Sequence, residues 1–225
     1  MLSPDRQFSL LRNMLQFDSV KKYYGHFLAL SIPELTIPDG IYWLKGENGS
    51  GKTSFLKMTG GSHPFDGAIQ LNRYDLKKNR VAFLQQVSYA EAEPLYPSFL
   101  TAEDLVKLYC TARKADIEKA KQLLVDLHII HAYRQPVGSY SSGMLKKLSL
   151  ALAFIGNPKW ILLDEPLITV DTEAVSTICN LVGKTHRDDQ TSFIISSHQP
   201  FQTDQFLINQ SILVARQTIN LQYDA

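Results

Sequence analysis

Short apolar runs punctuated by glycine, proline and polar turns recur along the chain. Ile41-Tyr42-Trp43-Leu44 and Trp160-Ile161-Leu162-Leu163 lack an in-out alternation, the pattern of strands covered on both faces in a parallel sheet. Ser192-Phe193-Ile194-Ile195-Ser196-Ser197 reads as a further strand, and Met14-Leu15-Gln16-Phe17 opens another. Between them the period changes. Leu145, Leu148, Ala151, Leu152 and Ile155 recur at helical spacing and are stopped by Gly156 and Pro158. Thr53 to Met58 is a shorter helix ended by Gly60-Gly61. Thr101-Ala102-Glu103-Asp104 is a capping box, and Ile117, Ala120, Leu124 and Leu127 form an apolar stripe behind Asp116.

This order predicts an α/β fold with a mostly parallel core sheet, an antiparallel β portion near the N-terminus and a helical insert. The α/β lobe is expected from 14–86 and 145–225, the helical subdomain over about 87–144, and one domain over 14–225. Residues 1–13 read as an N-terminal extension or as a misplaced start, because Met14 leads directly into a strand. No repeat or long linker interrupts the pattern.

Composition narrows the functional classes. The chain has 225 residues and a formal charge of +1, which argues against a protein that coats nucleic acid or a polybasic membrane binder. Cys110 and Cys179 are the two cysteines, with no C-x-x-C spacing, so neither a disulfide framework nor a zinc site is expected. The apolar run Leu148–Ile155 is far shorter than the roughly 20 residues of a membrane span. The expectation is a cytoplasmic protein that reaches a membrane through a partner.

The candidate chemistry lies at strand ends. Gly46-Glu47-Asn48-Gly49-Ser50-Gly51-Lys52-Thr53 fits G-x-x-x-x-G-K-[ST] between a strand and a helix. That P-loop arrangement turns backbone N–H groups and a positive helix end toward phosphates. Lys52 is expected to reach the β- and γ-phosphates, and the Thr53 hydroxyl to ligate Mg²⁺. Asp164-Glu165 follow a buried run. Two acids at a strand end alone often mean a turn, but after a P-loop they suit metal binding and polarisation of a water. His198 ends the Ser192–Ser197 run. His26, His63, His128, His131 and His186 have no such context. Taken alone, Tyr140-Ser141-Ser142-Gly143-Met144 is only a serine-capped helix start.

The order of these motifs resembles the ATP-binding cassette ATPases over nearly the whole chain from Met14. In that resemblance Val81 to Gln86 is the strand leading into the Q-loop, with Gln86 as its glutamine. Tyr140–Met144 is the L-S-G-G-Q signature, Asp164-Glu165 the Walker B pair, Asp171 the D-loop aspartate, His198 the switch histidine and Tyr24 the aromatic that stacks on adenine. Glu165, His198 and Lys52 are then catalytic. Nucleotide contacts fall to Tyr24, Gly46, Glu47, Asn48, Gly49, Ser50, Gly51, Lys52, Thr53, Ser54, Gln86, Ser141 and Gly143, and Mg²⁺ to Thr53, Gln86 and Asp164. There are departures: Ser142 and Met144 in the signature, Thr169 where the D-loop has glycine, and a final hairpin turn Ala215-Arg216-Gln217 without glycine.

The resemblance implies a head-to-tail dimer around two ATPs, a separate transmembrane permease subunit contacted by Gln86 and the Ser88–Ser98 loop, and a lean toward export from the Ser-x-Gly-Met signature. Two alternatives differ in class: a soluble cassette ATPase acting on nucleic acid or ribosomes, and a non-hydrolysing nucleotide-dependent regulator. Lys52, Asp164, Glu165 and His198 count against the regulator.

Overall fold

A computed structural model describes residues 13–198 and 204–222. Most of the proposed extension at 1–13 lies outside them. Among the described residues ten strands form two sheets. A six-stranded sheet carries β10 (Thr218–Gln222), β9 (Gln210–Ala215), β3 (Ile41–Lys45), β8 (Ser192–Ser196), β7 (Trp160–Leu163) and β6 (Val87–Ala90) in that spatial order. Every pairing in it is parallel except β10 with β9. A four-stranded antiparallel sheet holds β2 (Phe27–Ile37), β1 (Leu15–Tyr24), β4 (Asp66–Leu71) and β5 (Tyr74–Asp75).

The period of two divides the central strands between two cores. Tyr42, Leu44, Trp160, Leu162 and Ile194 pack with Leu15, Phe17 and Ile32 of the smaller sheet and with Phe55, Leu56 and Met58 of α1 (Lys52–Thr59). Their neighbours Ile41, Ile161, Leu163, Phe193 and Ile195 point the other way. They meet α3 (Ala102–Arg113), α4 (Ile117–Asp126), α5 (Ser142–Phe154) and α6 (Thr172–Asp189). Trp160 is fully buried, stacked 6.1 Å from Tyr42, and its Nε1 donates to the carbonyl of Asn13 at 2.6 Å.

Local chemistry sets the helix starts. Thr101 and Asp104 form the reciprocal capping box of α3, Asp116 caps α4 through the N–H groups of Glu118 and Lys119, and Ser141 caps α5 through Met144 N–H. In β1 the register against β4 shifts between Asp18 and Lys21, with Ser19 at φ 51°. This bulge leaves Val20 and Lys22 inward and hands the same face to Tyr24.

Two expectations fail. Val81–Leu84 is not a strand but lies in the short helix α2 (Arg80–Leu84). Asp75 accepts the N–H groups of Lys77 and Lys78 and turns the chain just upstream, and Phe83 is buried while Val81 lies exposed, which suits a helical turn. The strand comes afterwards: Val87–Ala90 is an edge of the central sheet, with Ser88 buried, so the helical insert begins beyond Ala90 rather than at 87.

The closing hairpin turns through Arg216 (φ 50°) and Gln217 (φ 62°). Two consecutive left-handed residues are the requirement of a type I′ turn, which asparagine-glycine fills without strain. The double substitution Arg216→Asn, Gln217→Gly is expected to raise Tm by about 2–4 °C, corresponding to about 1 kcal/mol in a chain of this size. Calorimetry reads it, and an unchanged or lower Tm would refute the strained-turn assignment.

Candidate functional site

Parallel pairing brings the reactive groups to one end of the sheet. β3 runs into the 46–53 loop, β7 into Asp164 and β8 into His198, and β8 lies between the other two with Leu44 opposite Ser196 and Leu163 opposite Ile195. Neighbouring strands are about 4.8 Å apart, so these three chain exits share one crevice at the carboxyl edge.

The loop is built for an anion. Gly49 (φ 77°) and Gly51 (φ 109°) are left-handed, and a Cβ on Gly46 would lie 2.5 Å from Ser50 Oγ and 2.6 Å from the Val214 carbonyl oxygen. No side chain caps the N-terminus of α1, so its first N–H groups face the loop. Lys52 is 8% exposed and folds its Nζ back onto the carbonyls of Gly46 (2.7 Å) and Glu47 (3.1 Å). Those are acceptors that an incoming phosphate can replace. Thr53 is exposed beside it, and Ser54 Oγ lies 3.0 Å from the Tyr24 hydroxyl. Glu47 and Asn48 are exposed on the loop's rim.

Asp164 is 1% exposed, an expensive seat for a carboxylate unless it is well bonded. Ser196 Oγ donates to Oδ1 at 2.7 Å and the Tyr89 hydroxyl to Oδ2 at 3.2 Å. Burial and the Asp164 carboxylate push the Tyr89 phenol well above its usual range, so it stays a donor. Ser196 Oγ also accepts the N–H of Glu165 at 2.9 Å. Glu165 sits at φ 46°, with Oε1 3.3 Å from His198 Nε2 and otherwise without a hydrogen-bond partner. Trp43 Nε1 holds the Ser197 carbonyl at 3.1 Å, steadying the strand exit that carries His198. Oxygen donors from Thr53 and Asp164 next to an anion cradle fit a hard cation such as Mg²⁺.

Sequence reasoning missed Lys146. It is 1% exposed, and its ammonium donates to the carbonyls of Asp164 (2.6 Å), Glu91 (2.8 Å) and Ala92 (3.2 Å). Three acceptors saturate its three N–H groups. Burial pushes its pKa down to about 8, against the opposing pull of Asp164, Glu165, Glu91 and Glu93. The signal available in the sequence was a lysine on the otherwise apolar face of α5, one turn before Leu150. Lys147 Nζ bonds Asp171 at 2.6 Å, and that contact with the α6 cap holds the Asp171 carboxyl down at about 2.

Gln86 does not join the site. It lies just before β6, its carbonyl accepts from the N–H of Trp160 at the opening of β7, and its amide turns back to Ala82. Asp164 is at the other end of β7, four residues or about 13 Å along the strand. Gln86 therefore cannot serve as a metal or phosphate ligand there; Glu91 and Ala92 follow β6 at the carboxyl edge instead. Ser141 and Gly143 also stand apart from the 46–53 loop. They open α5 against the loop that follows β7, where a Cβ on Gly143 would meet the Thr169 carbonyl at 2.8 Å. Among the described residues no hydrogen bond links them to the phosphate loop.

Known proteins share this sequence pattern and this fold. The family model described as ABC transporter matches residues 32–168. The bacitracin transport ATP-binding protein BcrA of Enterococcus faecalis is 31% identical over 84% of this chain, which spans 62% of that relative. The lantibiotic transport ATP-binding protein SrtF of Streptococcus pyogenes is 30% identical over 82% of the chain and 80% of its own length. A solved ATP binding subunit of an ABC transporter superposes with a TM-score of 0.79 at 20% identity, covering 92% of this chain and 88% of that one. The fold and the phosphate site define a P-loop nucleotide-binding protein of the cassette type. The chain belongs to the ABC transporter family, on the side of its ATP-binding subunits.

Two outcomes follow from the geometry. Gln86→Ala is expected to leave ATP turnover within about twofold of the parent, since its amide reaches only Ala82; a loss beyond tenfold would return Gln86 to the site. Thr169, a β-branched residue at φ 67°, is expected to gain about 1–2 kcal/mol on Thr169→Gly. Denaturant unfolding reads the gain, and a loss of stability would show that the threonine side chain holds the loop.

Proposed function

We propose that the chain is the ATP-hydrolysing subunit of a membrane transporter, working as a pair of cassettes around ATP on the cytoplasmic face of a separate transmembrane subunit. The observation that carries this reading is the shared crevice: an anion loop with Lys52, a buried bonded Asp164, and an adjacent Glu165–His198 pair at neighbouring strand exits. A passive nucleotide sensor has no use for the Glu165–His198 pair.

On ATP binding, Lys52 exchanges the carbonyls of Gly46 and Glu47 for the β- and γ-phosphates, a charge-assisted contact in a partly dry cradle. The backbone of 46–53 and the helix N-terminus hold the remaining phosphate charge. Thr53 and Asp164 would hold Mg²⁺, which would supply neutralisation of phosphate charge when bound. The Glu165 carboxylate, paired through Oε1 with His198, accepts a hydrogen bond from the attacking water and polarises it, while His198 contacts the γ-phosphate. Tyr24 offers its ring to the adenine; Tyr23, on the opposite face of β1, does not.

Ser141 and Gly143 are exposed or half-exposed at the start of α5, away from their own chain's phosphate loop. This supports a head-to-tail dimer in which each signature turn completes the partner's site. The transmembrane subunit is assigned to the loop after β6, where Leu95 and Phe99 are 91% and 77% exposed. Among the described residues no helix is long and apolar enough to cross a membrane. Outward transport is the direction the Ser-x-Gly-Met signature supports, and relatives named for bacitracin and lantibiotic transport are compatible with it. The near-neutral charge of +1 supports neither a nucleic-acid nor a ribosomal role.

Glu165→Gln tests the reading. The amide keeps the carboxylate's shape but polarises water poorly, and Asp164 is untouched. ATP affinity is expected to persist, turnover to fall by about 10²–10⁴-fold, and a closed dimer to accumulate in light scattering. Turnover above about a tenth of the parent's would remove Glu165 from the catalytic role.

A further inference from the structure

Lys22 is a buried cation that the mechanism above does not use. It is 4% exposed and lies on the inward face of β1, two residues before Tyr24. Its Nζ donates to the Pro64 carbonyl at 3.0 Å and stands 4.5 Å from the centroid of the Tyr24 ring. The ring is fixed on other sides as well. Its hydroxyl lies 3.0 Å from Ser54 Oγ on α1, and His63 meets it edge-on at 6.2 Å and 74°. Tyr24 nevertheless remains 47% exposed. A tyrosine tethered at its tip, flanked at its edge and covered on one face by an ammonium keeps its other face for a ligand.

We propose that Lys22 is a positioning and specificity residue for the nucleotide base, acting through Tyr24. A cation held over one face of an aromatic ring draws π-density toward itself. The opposite face becomes electron-poorer and stacks better on an electron-rich purine than on a smaller pyrimidine. The Pro64 bond fixes the cation, and the Ser54 contact fixes the ring relative to the phosphate loop, so base and phosphates are gripped in one register. The proposal rests on the reading of Tyr24 as the base platform.

The test is equilibrium binding of ATP, UTP and inorganic tripolyphosphate to the full chain in Mg²⁺-free buffer, which suppresses turnover. Lys22→Met removes the charge; Lys22→Gln removes it but keeps a donor for Pro64; Lys22→Arg keeps a cation. Both neutral variants are expected to weaken ATP by about three- to tenfold, UTP less, and tripolyphosphate not at all, with Lys22→Arg restoring most of the loss. In a Tyr24→Ala background the neutral variants should add nothing. Parallel weakening of ATP and tripolyphosphate, or a loss that persists without Tyr24, would overturn the proposal and leave Lys22 a structural strut. If Tyr24→Ala costs ATP affinity while the neutral Lys22 variants do not, Lys22 alone loses its role. If Tyr24→Ala costs nothing, the base-platform reading itself fails.

Discussion

Everything in the site depends on seating a carboxyl group where almost no water reaches it. Asp164 is 1% exposed at the end of an apolar strand, and a lone buried charge there would cost several kcal/mol. The fold surrounds it with donors from three directions: Ser196 from β8, Tyr89 from β6 and, on its own carbonyl, Lys146 from α5. Each donor lies on a different element, so the sheet order, the bulk of α5 and the position of β6 are all constrained by one aspartate. The same serine that donates to Asp164 also accepts the Glu165 amide, and the Glu165 carboxylate inherits its placement from that shared hydroxyl.

Strain collects beside this network. Glu165 and Thr169 both adopt left-handed backbone at φ 46° and 67° within five residues of Asp164. Such conformations persist only where neighbours over-determine them. For Glu165 the neighbour is Ser196; for Thr169 it is the close approach of its carbonyl to Gly143, which has no Cβ to obstruct it. The loop after β7 is thereby pressed against the signature turn, and the two segments form one continuous surface.

Much of this was legible in the sequence because it is encoded by short, local signals. The glycine loop, the apolar runs of β3, β7 and β8, and the caps at Thr101, Asp116 and Ser141 each occupy a few adjacent residues with one physical meaning. Gln86 was misplaced because Val81-Ala82-Phe83-Leu84 is equally apolar as a strand or a helical turn. Only the turn built on Asp75 and the pairing of Val87 with Trp160 decide the matter. Lys146 and Lys22 were invisible for a related reason. A lysine's partners here are backbone carbonyls and an aromatic face, and carbonyls leave no trace in the identity of the residues that carry them.

The Lys146 ammonium has a mechanical consequence. It pins α5 to Asp164 and, in the same grip, to the first two residues of the segment that follows β6. The beginning of α5 and the strand exit at Asp164 must then travel as one rigid piece. Any swing of the remaining helices against the sheet must hinge past Ala92 on one side and within the irregular 127–141 stretch on the other. Lys146 is the fixed point of that arm, a buried ammonium that ties the segment after β6 to the carbonyl of Asp164.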